Sequence, residues 1–266
     1  MSHYRVRDHR YGHLERTLIR AVRKSAAIVR KHFRSEQLRV NEKTVPGDLV
    51  SNVDLEVEAV VTALLAREFP HIPVIGEEGS DARTREEAFY LDPVDGTLNF
   101  VHGLTPFAVS LGYWRGGEPA AAAVCNPITG ELFSAVRGSG SMRNGTRISP
   151  SRAVSLRNAL VASGWPYDRS QRERLYREMD RVYLACQELR TIGCASLGMC
   201  YVACGVFDGY WEWGLKPWDM AAAVLIVSES GGKVSSLTGG RFRLADGSVA
   251  VSNGLIHEEL VRTIGR

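Results

Sequence analysis

Carboxylates stand at the ends of apolar segments that lie far apart in the chain. Glu77 follows one predicted strand, and Asp92 and Asp95 follow another. Asp219 opens an apolar helix near the other end of the chain. Burying a carboxylate is unfavourable unless a cation or a hydrogen-bond partner compensates its charge. We therefore expect the fold to bring these segments together around shared cations, and hard oxygen ligands of this kind suit Mg²⁺ better than zinc.

The segment Asp92-Pro93-Val94-Asp95 has the composition of a metal-binding turn. Pro93 fixes its own φ angle and is expected to end the preceding strand. Asp92 and Asp95 are three residues apart, so one tight turn can aim both carboxylates at one pair of ions. Val94 has an apolar side chain, so only its carbonyl oxygen can contribute to a metal site.

The next two residues, Gly96 and Thr97, have the character of a phosphate cradle. Glycine permits a backbone conformation that is closed to other residues and lets a phosphate approach the main chain. Thr97 suits the start of a helix, where free N–H groups and the helix dipole favour an anion. The simpler alternative for residues 92–97 is a purely structural Asx-type turn between a strand and a helix.

The composition is that of an ordinary globular protein. Hydrophobic residues make up 44% and charged residues 24% of the 266, which excludes a disordered tail protein, a collagen and a small disulfide scaffold. The sequence contains no P-loop, no H-E-x-x-H pair and no G-x-S-x-G elbow.

The five cysteines form no C-x-x-C pair, and we expect free thiols in a reducing compartment. With no apolar run of about 20 residues and a polar N-terminus, we expect no membrane contact and a cytoplasmic location.

Hydrophobic periodicity changes twice along the chain. Apolar residues recur every three or four positions over 14–33 and 51–69, which predicts two amphipathic helices. Short alternating runs then predict strands, with an antiparallel meander over 105–136. Beyond residue 159 strands alternate with helices, including one continuous apolar helix over 217–230. This order predicts layered α/β or α+β packing.

We divide the chain into an extension and two lobes of one compact unit. The extension, 1–13, is polar and basic. Residues 14–150 are expected to form an α+β lobe that binds metal and phosphate, and residues 151–266 an α/β lobe that completes the active site.

Basic residues are concentrated near the N-terminus. Residues 1–34 hold ten Lys or Arg against Asp8 and Glu15, a local net charge of +8, whereas the whole chain carries +3. The simpler interpretation is a solvated first helix. The alternative is a patch that contacts an acidic partner or RNA.

The acidic segments together resemble the signatures of the inositol monophosphatase family. The likeness runs from about residue 14 to 264 and rests on segments 76–78, 92–100 and 218–222. Supporting residues follow in the family's order: Lys43, 48–51 with Asp54, 193–195, 212–214, 230–234 and 252–253. The resemblance implies an αβαβα layered sandwich, usually a homodimer. It also implies Mg²⁺-dependent, commonly lithium-inhibited hydrolysis of phosphate monoesters, with two or three Mg²⁺ ions in each active site.

The resemblance also implies roles for particular residues. One Mg²⁺ would be held by Glu77, Asp92 and the Val94 carbonyl. A second would be held by Asp92, Asp95 and Asp219, and a weaker third ion would lie near Glu77. The expected catalytic residues are Asp54, Thr97 and Glu77, of which Asp54 and Thr97 orient and deprotonate the attacking water. The expected substrate contacts are Asp95, Gly96, Thr97, Gly193, Cys194, Ala195 and Glu212.

The substrate class stays open at this point. A small polyol phosphate, with inositol 1-phosphate first, is the leading hypothesis. Histidinol phosphate, fructose 1,6-bisphosphate, NADP and 3′-phosphonucleotides are alternatives within the superfamily, because the metal motifs are common to all of these enzymes. A different class of function is a binding module for RNA or a transcription complex with incidental phosphatase activity. An inactive metal-binding relative is the third hypothesis.

Overall fold

The computed structural model describes residues 9–43, 45, 47–79 and 83–265. Two long helices, α1 (His9–His32) and α2 (Asn52–Glu68), flank a short hairpin of β1 (Val40–Glu42) and β2 (Leu49–Ser51). A seven-stranded sheet follows, with helix α3 (Thr97–Val101) after its second strand. Its strands are, in order, β3 (Val74–Gly76), β4 (Glu87–Asp95), β5 (Ala108–Arg115), β6 (Glu118–Cys125), β7 (Leu132–Val136), β8 (Gly140–Arg143) and β9 (Thr146–Arg147).

The second half of the chain forms a five-stranded sheet with helices between its strands. Its elements are β10 (Leu160–Ser163), α4 (Arg172–Ala185), β11 (Glu188–Thr191), α5 (Ala195–Ala203), β12 (Gly209–Trp213), α6 (Pro217–Ala221), α7 (Ala223–Ser230), β13 (Lys233–Ser235), β14 (Ser248–Ser252) and α8 (His257–Gly265). Single 3₁₀ turns lie at Leu156–Asn158, Arg169–Gln171 and Leu244–Asp246. The strand order is β11-β10-β12-β14-β13, with β10 parallel to both of its neighbours and β14 antiparallel to β12 and β13.

Side chains alternate across the strands and so build a separate core on each side of the large sheet. On β4, Phe89 and Leu91 face α1 and α2, whereas Ala88 and Tyr90 face the interior that α5, α6 and α7 fill. The outer face of the small sheet is covered by α4 and α8. The layers therefore run helix, sheet, helix, sheet, helix, which confirms the predicted αβαβα sandwich.

The strand β4 does not end at Pro93 as the sequence predicts. It continues to Asp95, and its pairing with β5 shifts register between Asp92 and Asp95. Proline cannot donate a ladder hydrogen bond and is tolerated where the pairing is irregular. The bulge therefore accommodates Pro93 and turns the end of the strand.

The predicted helix over 217–230 is wrong in one respect, because it is interrupted at Ala222. The Ala221 carbonyl accepts a hydrogen bond from the Trp114 indole at 2.9 Å. Gly112 lies against the same backbone, and a β carbon on it would stand 2.7 Å from the Ala221 carbonyl carbon. Close contact with β5 thus divides this segment into α6 and α7.

Other boundaries differ by smaller amounts. Helix α1 begins at His9, so residues 9–13 of the predicted extension are helical, while residues 1–8 lie outside the described residues. The hairpin of β1 and β2 was not predicted from its polar sequence. The five cysteines are free, as predicted. No helix in the described parts of the chain is both long and apolar enough to cross a lipid bilayer.

Candidate active site

A pocket of about 430 Å³ is lined by polar and charged residues from both halves of the chain. Its walls include every predicted metal and substrate residue, namely Glu77, Asp92, Val94, Asp95, Gly96, Thr97, Gly193, Cys194, Ala195, Glu212 and Asp219. Asp54 lies behind Thr97 rather than on the pocket surface, with Oδ1 accepting from the threonine hydroxyl at 3.3 Å. The acidic segments therefore converge.

The pocket carboxylates carry more negative charge than nearby cations neutralise. Asp92 and Asp95 are 2% and 7% exposed. Burial raises the pKa values of Asp92, Asp95 and Asp219, and neighbouring carboxylates raise those of Asp92 and Asp219 further. Burial also raises the pKa of Glu77 to about 7, against the lowering effect of Lys43. A bound cation would relieve this repulsion.

Within the described residues, no three His, Cys, Asp or Glu side chains form a ready-made cage for an ion. The donors around the pocket are nevertheless carboxylate and carbonyl oxygens. Mg²⁺ prefers oxygen ligands and commonly keeps several waters, so its site need not be a closed protein cage. The donor set is thus compatible with Mg²⁺.

Lys43 supplies a fixed positive charge at one edge of the pocket. Its Nζ lies 2.6 Å from Glu77 Oε1 and 2.7 Å from Glu78 Oε1, with Asp48 Oδ1 at 3.8 Å. Burial disfavours the ammonium, but the two glutamates outweigh that effect and raise the pKa of Lys43. The lysine therefore neutralises part of the charge on Glu77.

Asp95 is held by the start of helix α5, which is about 100 residues later in the chain. Its Oδ2 accepts from the Ser196 backbone N–H at 2.6 Å, from the Ser196 hydroxyl at 2.5 Å and from the Cys194 thiol at 3.0 Å. Its Oδ1 accepts from the Ala195 N–H at 3.1 Å. Cys194 and Ala195 thus orient Asp95 as well as lining the pocket. Ser196 was not predicted, because no local pattern links it to Asp95.

Asp54 is oriented by a capping box at the start of α2. Its Oδ2 accepts from the Ser51 N–H at 2.8 Å and from the Ser51 hydroxyl at 2.5 Å. The other oxygen, Oδ1, faces the Thr97 hydroxyl, which also lies 2.8 Å from the Val94 carbonyl oxygen. A serine three residues before an acidic residue is a recognisable capping pattern, so sequence could have found this contact.

The turn between β4 and α3 requires glycine at position 96. Gly96 has φ of +91°, and a β carbon there would stand 2.8 Å from the Gly193 carbonyl oxygen. Asn99 fixes the same junction, since its Nδ2 donates to the Pro106 and Ile192 carbonyls, each at 2.7 Å. The turn that is expected to bind phosphate is thereby joined to the loop before α5.

Glu212 reaches the pocket from β12, where it alternates with the buried Trp211 and Trp213. The Tyr210 hydroxyl donates to its Oε2. Gly164 leaves room for the carboxylate, which a β carbon at that position would overlap. Burial raises the pKa of Glu212 to about 8, although the Tyr210 hydrogen bond opposes the shift.

Three exposed residues, Trp165, Tyr167 and Lys216, also line the pocket. Trp165 is 51% exposed and is therefore not a core residue. Lys216 is exposed on the rim.

The chain matches known proteins over almost its whole length. The sequence model of the inositol monophosphatase family matches residues 12–266. Phosphatase IMPL1, a chloroplastic protein of Arabidopsis thaliana, is 39% identical over 230 residues, which are 82% of this chain and 61% of the plant protein. The match thus spans less than two thirds of that protein's length.

Bacterial proteins match over a larger share of their own length. Nus factor SuhB of Vibrio cholerae is 36% identical over 239 residues, 88% of this chain and 89% of the relative. The crystal structure of extragenic suppressor protein suhB from Bartonella henselae is 32% identical, with a TM-score of 0.89 and coverage of 96% of this chain and 99% of that one. The chain therefore belongs to the inositol monophosphatase family and is a phosphoric monoester hydrolase.

Proposed function

We propose that the protein hydrolyses a small polyol phosphate monoester with the help of Mg²⁺, and that inositol 1-phosphate is the first substrate to test. The observation that carries the proposal is the convergence of Glu77, Asp92, Asp95 and Asp219 on one pocket beside the Gly96–Thr97 turn. Burial raises the pKa values of these groups, and neighbouring carboxylates raise those of Asp92 and Asp219 further, an effect that a divalent cation would offset.

These carboxylates would be divided between two ions, with Asp92 shared by both. Glu77, Asp92 and the Val94 carbonyl would hold one Mg²⁺, and Asp92, Asp95 and Asp219 a second, with a weaker third near Glu77. Once bound, the ions would supply Lewis-acid stabilisation of charge on the phosphoryl group and promote ionisation of water. The N–H groups of Gly96 and Thr97 would bind phosphate oxygens.

Proton transfer would be performed by Thr97 and Asp54. The threonine hydroxyl orients the attacking water, takes its proton and passes its own to Asp54 Oδ1 as the water oxygen bonds to phosphorus. The ester P–O bond breaks, and its electron pair leaves with the alcohol oxygen, which takes a proton from solvent. Burial raises the pKa of Asp54, which makes this carboxylate a better proton acceptor near neutral pH than an exposed one. The contact with Ser51 leaves Oδ1 directed at Thr97.

The alcohol part of the substrate would face Gly193, Cys194, Ala195 and Glu212. Because Glu212 is buried and held by Tyr210, its carboxyl group is positioned to exchange hydrogen bonds with a hydroxyl of a polyol. The homodimer, lithium sensitivity and cytoplasmic location remain predictions of the family resemblance.

The substitution Asp92→Asn tests the proposal, because Asp92 is the ligand expected to be shared by both ions. We expect Mg²⁺ binding measured by calorimetry and phosphatase turnover to fall together, turnover by at least 100-fold. The substrate panel contains inositol phosphates, histidinol phosphate, fructose 1,6-bisphosphate, NADP and 3′-phosphonucleotides, with and without Li⁺. The exposed Asp180→Asn serves as a matched control. Near-normal turnover of Asp92→Asn would overturn the metal assignment.

We propose RNA binding as a second candidate function, supported by one face of α1. Its exposed basic residues at 16, 20, 23, 24, 30 and 31 fall within one third of the helix circumference. Among the described residues, Arg20 alone of this set forms an ion pair, with Glu68 at 2.9 Å. The relative in Vibrio cholerae is called a Nus factor.

The triple substitution Arg16→Gln, Arg23→Gln and Arg30→Gln tests this second candidate. We expect single-stranded RNA affinity at low salt to fall at least tenfold and the salt dependence to flatten, since fewer phosphate contacts release fewer counterions. Phosphatase activity should not change. A control triple of exposed arginines elsewhere, Arg157→Gln, Arg172→Gln and Arg177→Gln, removes the same charge. Equal RNA affinities of the two triples, or no RNA binding by the wild type, would refute the candidate.

A further inference from the structure

The loop 164–168 places a tyrosine over the acidic side of the pocket. Tyr167 is 46% exposed and lines the same pocket as Glu77, Asp95 and Asp219. Burial raises the pKa of its phenol, and Asp48 and these three carboxylates raise it further. The phenol therefore lies within electrostatic reach of carboxylates on both sides of the pocket and stays protonated at neutral pH.

The Tyr167 hydroxyl is a hydrogen-bond donor without a partner in the described parts of the chain. Two other donors at the pocket, by contrast, are paired within the protein. Lys43 is bound by Glu77 and Glu78, and Tyr210 is bound by Glu212. An unpaired neutral donor among anions is suited to a ligand that brings its own acceptor oxygens.

Contacts on both sides fix the loop that carries Tyr167. The Trp165 ring packs edge-on against Tyr176 of α4, with centroids 6.1 Å apart. Asp168 accepts a hydrogen bond from the Ser170 N–H at 2.9 Å. Arg169 reaches across to the loop before β2, where a β carbon on Gly47 would stand 3.7 Å from its guanidinium. The mouth of the pocket thus lies between these two loops, and Tyr167 stands at it.

We propose that Tyr167 is a further phosphate-binding residue, whose phenol donates a hydrogen bond to a non-bridging oxygen of the phosphoryl group. This inference rests on the proposed phosphatase function. The carboxylates around Tyr167 are those expected to hold the cations, and the phosphoryl group must lie against the same cations. The alcohol side, at Glu212 and Gly193, has its own polar groups. A neutral donor gives the phosphate dianion a hydrogen bond without adding charge to the carboxylate cluster.

The substitution Tyr167→Phe tests the proposal because it keeps the aromatic wall and removes only the hydroxyl. Binding of inorganic phosphate to the Mg²⁺-loaded protein is measured by calorimetry, which needs no turnover. We expect the dissociation constant for phosphate to rise about tenfold, as for loss of one hydrogen bond to a charged group. The affinity for Mg²⁺ and the melting temperature should stay unchanged. Tyr176→Phe, on the exposed face of α4, is the matched control.

Two results would overturn the assignment. If Tyr167→Phe binds phosphate as tightly as the wild type, the ring serves only as a wall of the pocket. If the wild type binds no phosphate, phosphate is not a ligand of this site. Failure of the proposed phosphatase function is seen separately, as absence of wild-type turnover on every phosphomonoester of the panel. A tenfold weaker phosphate complex in the variant, with Mg²⁺ affinity retained, would support Tyr167.

Discussion

The acidic side chains of the site are oriented by different sets of hydrogen-bond donors. Asp92 accepts from the N–H of Val94 two residues later at 3.0 Å, Asp54 belongs to a capping box, and Asp95 binds the start of α5. Glu212 depends on a single tyrosine. Because every carboxylate is held before any ion binds, the geometry is preorganised at the cost of mutual repulsion.

Glu212 gives a prediction about stability and pH. Burial raises its pKa from the ordinary value of 4.5 to about 8, so the folded protein retains a proton that the unfolded chain releases. The contribution of this group to stability is therefore complete below pH 4.5 and is lost as the pH rises to about 8. Glu212→Gln cannot titrate, and its amide oxygen can still accept from Tyr210.

The measurement is the free energy of unfolding of both metal-free proteins across this range. We expect the free energy of unfolding of the variant to rise relative to that of the wild type between pH 5 and pH 9, by on the order of a few kcal/mol. The other buried carboxylates are common to both proteins and largely cancel in the difference. A difference that does not change with pH would show that Glu212 ionises normally in the fold.

The residues of the candidate site could be predicted from the sequence, but most of their hydrogen-bond partners could not. The acidic segments could be recognised because the spacing of Asp92 and Asp95 and the adjacent glycine are local features of the sequence. Among the donors to Asp95, Ser196 could not be predicted, because no sequence feature near Asp95 points to it. The unpaired Tyr167 hydroxyl is likewise a property of the folded pocket.

At the scale of elements, hydrophobic periodicity predicted those helices and strands that bury residues in a regular pattern. The helices α1 and α2 and the meander from β5 to β7 follow from apolar spacing. The hairpin of β1 and β2 has mostly exposed or half-buried residues, so its sequence carries no alternation that could reveal it. The break between α6 and α7 depends on the Trp114 indole, which is about 100 residues away in the chain. Long-range contacts, not local propensity, set these features.

At the scale of the whole molecule, the two predicted lobes share one layer. Helices α6 and α7 belong to the second half of the chain but pack against β4, β5, β6 and β8 of the first. The resulting core contains residues from both halves, such as Tyr90 and Ala122 beside Leu225 and Val251. We therefore expect the chain to unfold as one cooperative unit, with no separately stable lobe.

Leu65→Ala tests this cooperativity, because Leu65 is fully buried in the core between α1, α2 and the large sheet. Removing it should destabilise the protein by roughly 2–5 kcal/mol. Four of the five tryptophans lie beyond residue 150, so tryptophan fluorescence reports mainly on the second half. In a single unit, the fluorescence and circular dichroism transitions shift together to lower denaturant. The exposed Leu55→Ala on the same helix should shift neither, and a Leu65→Ala fluorescence transition that stays in place would mean that the halves unfold independently.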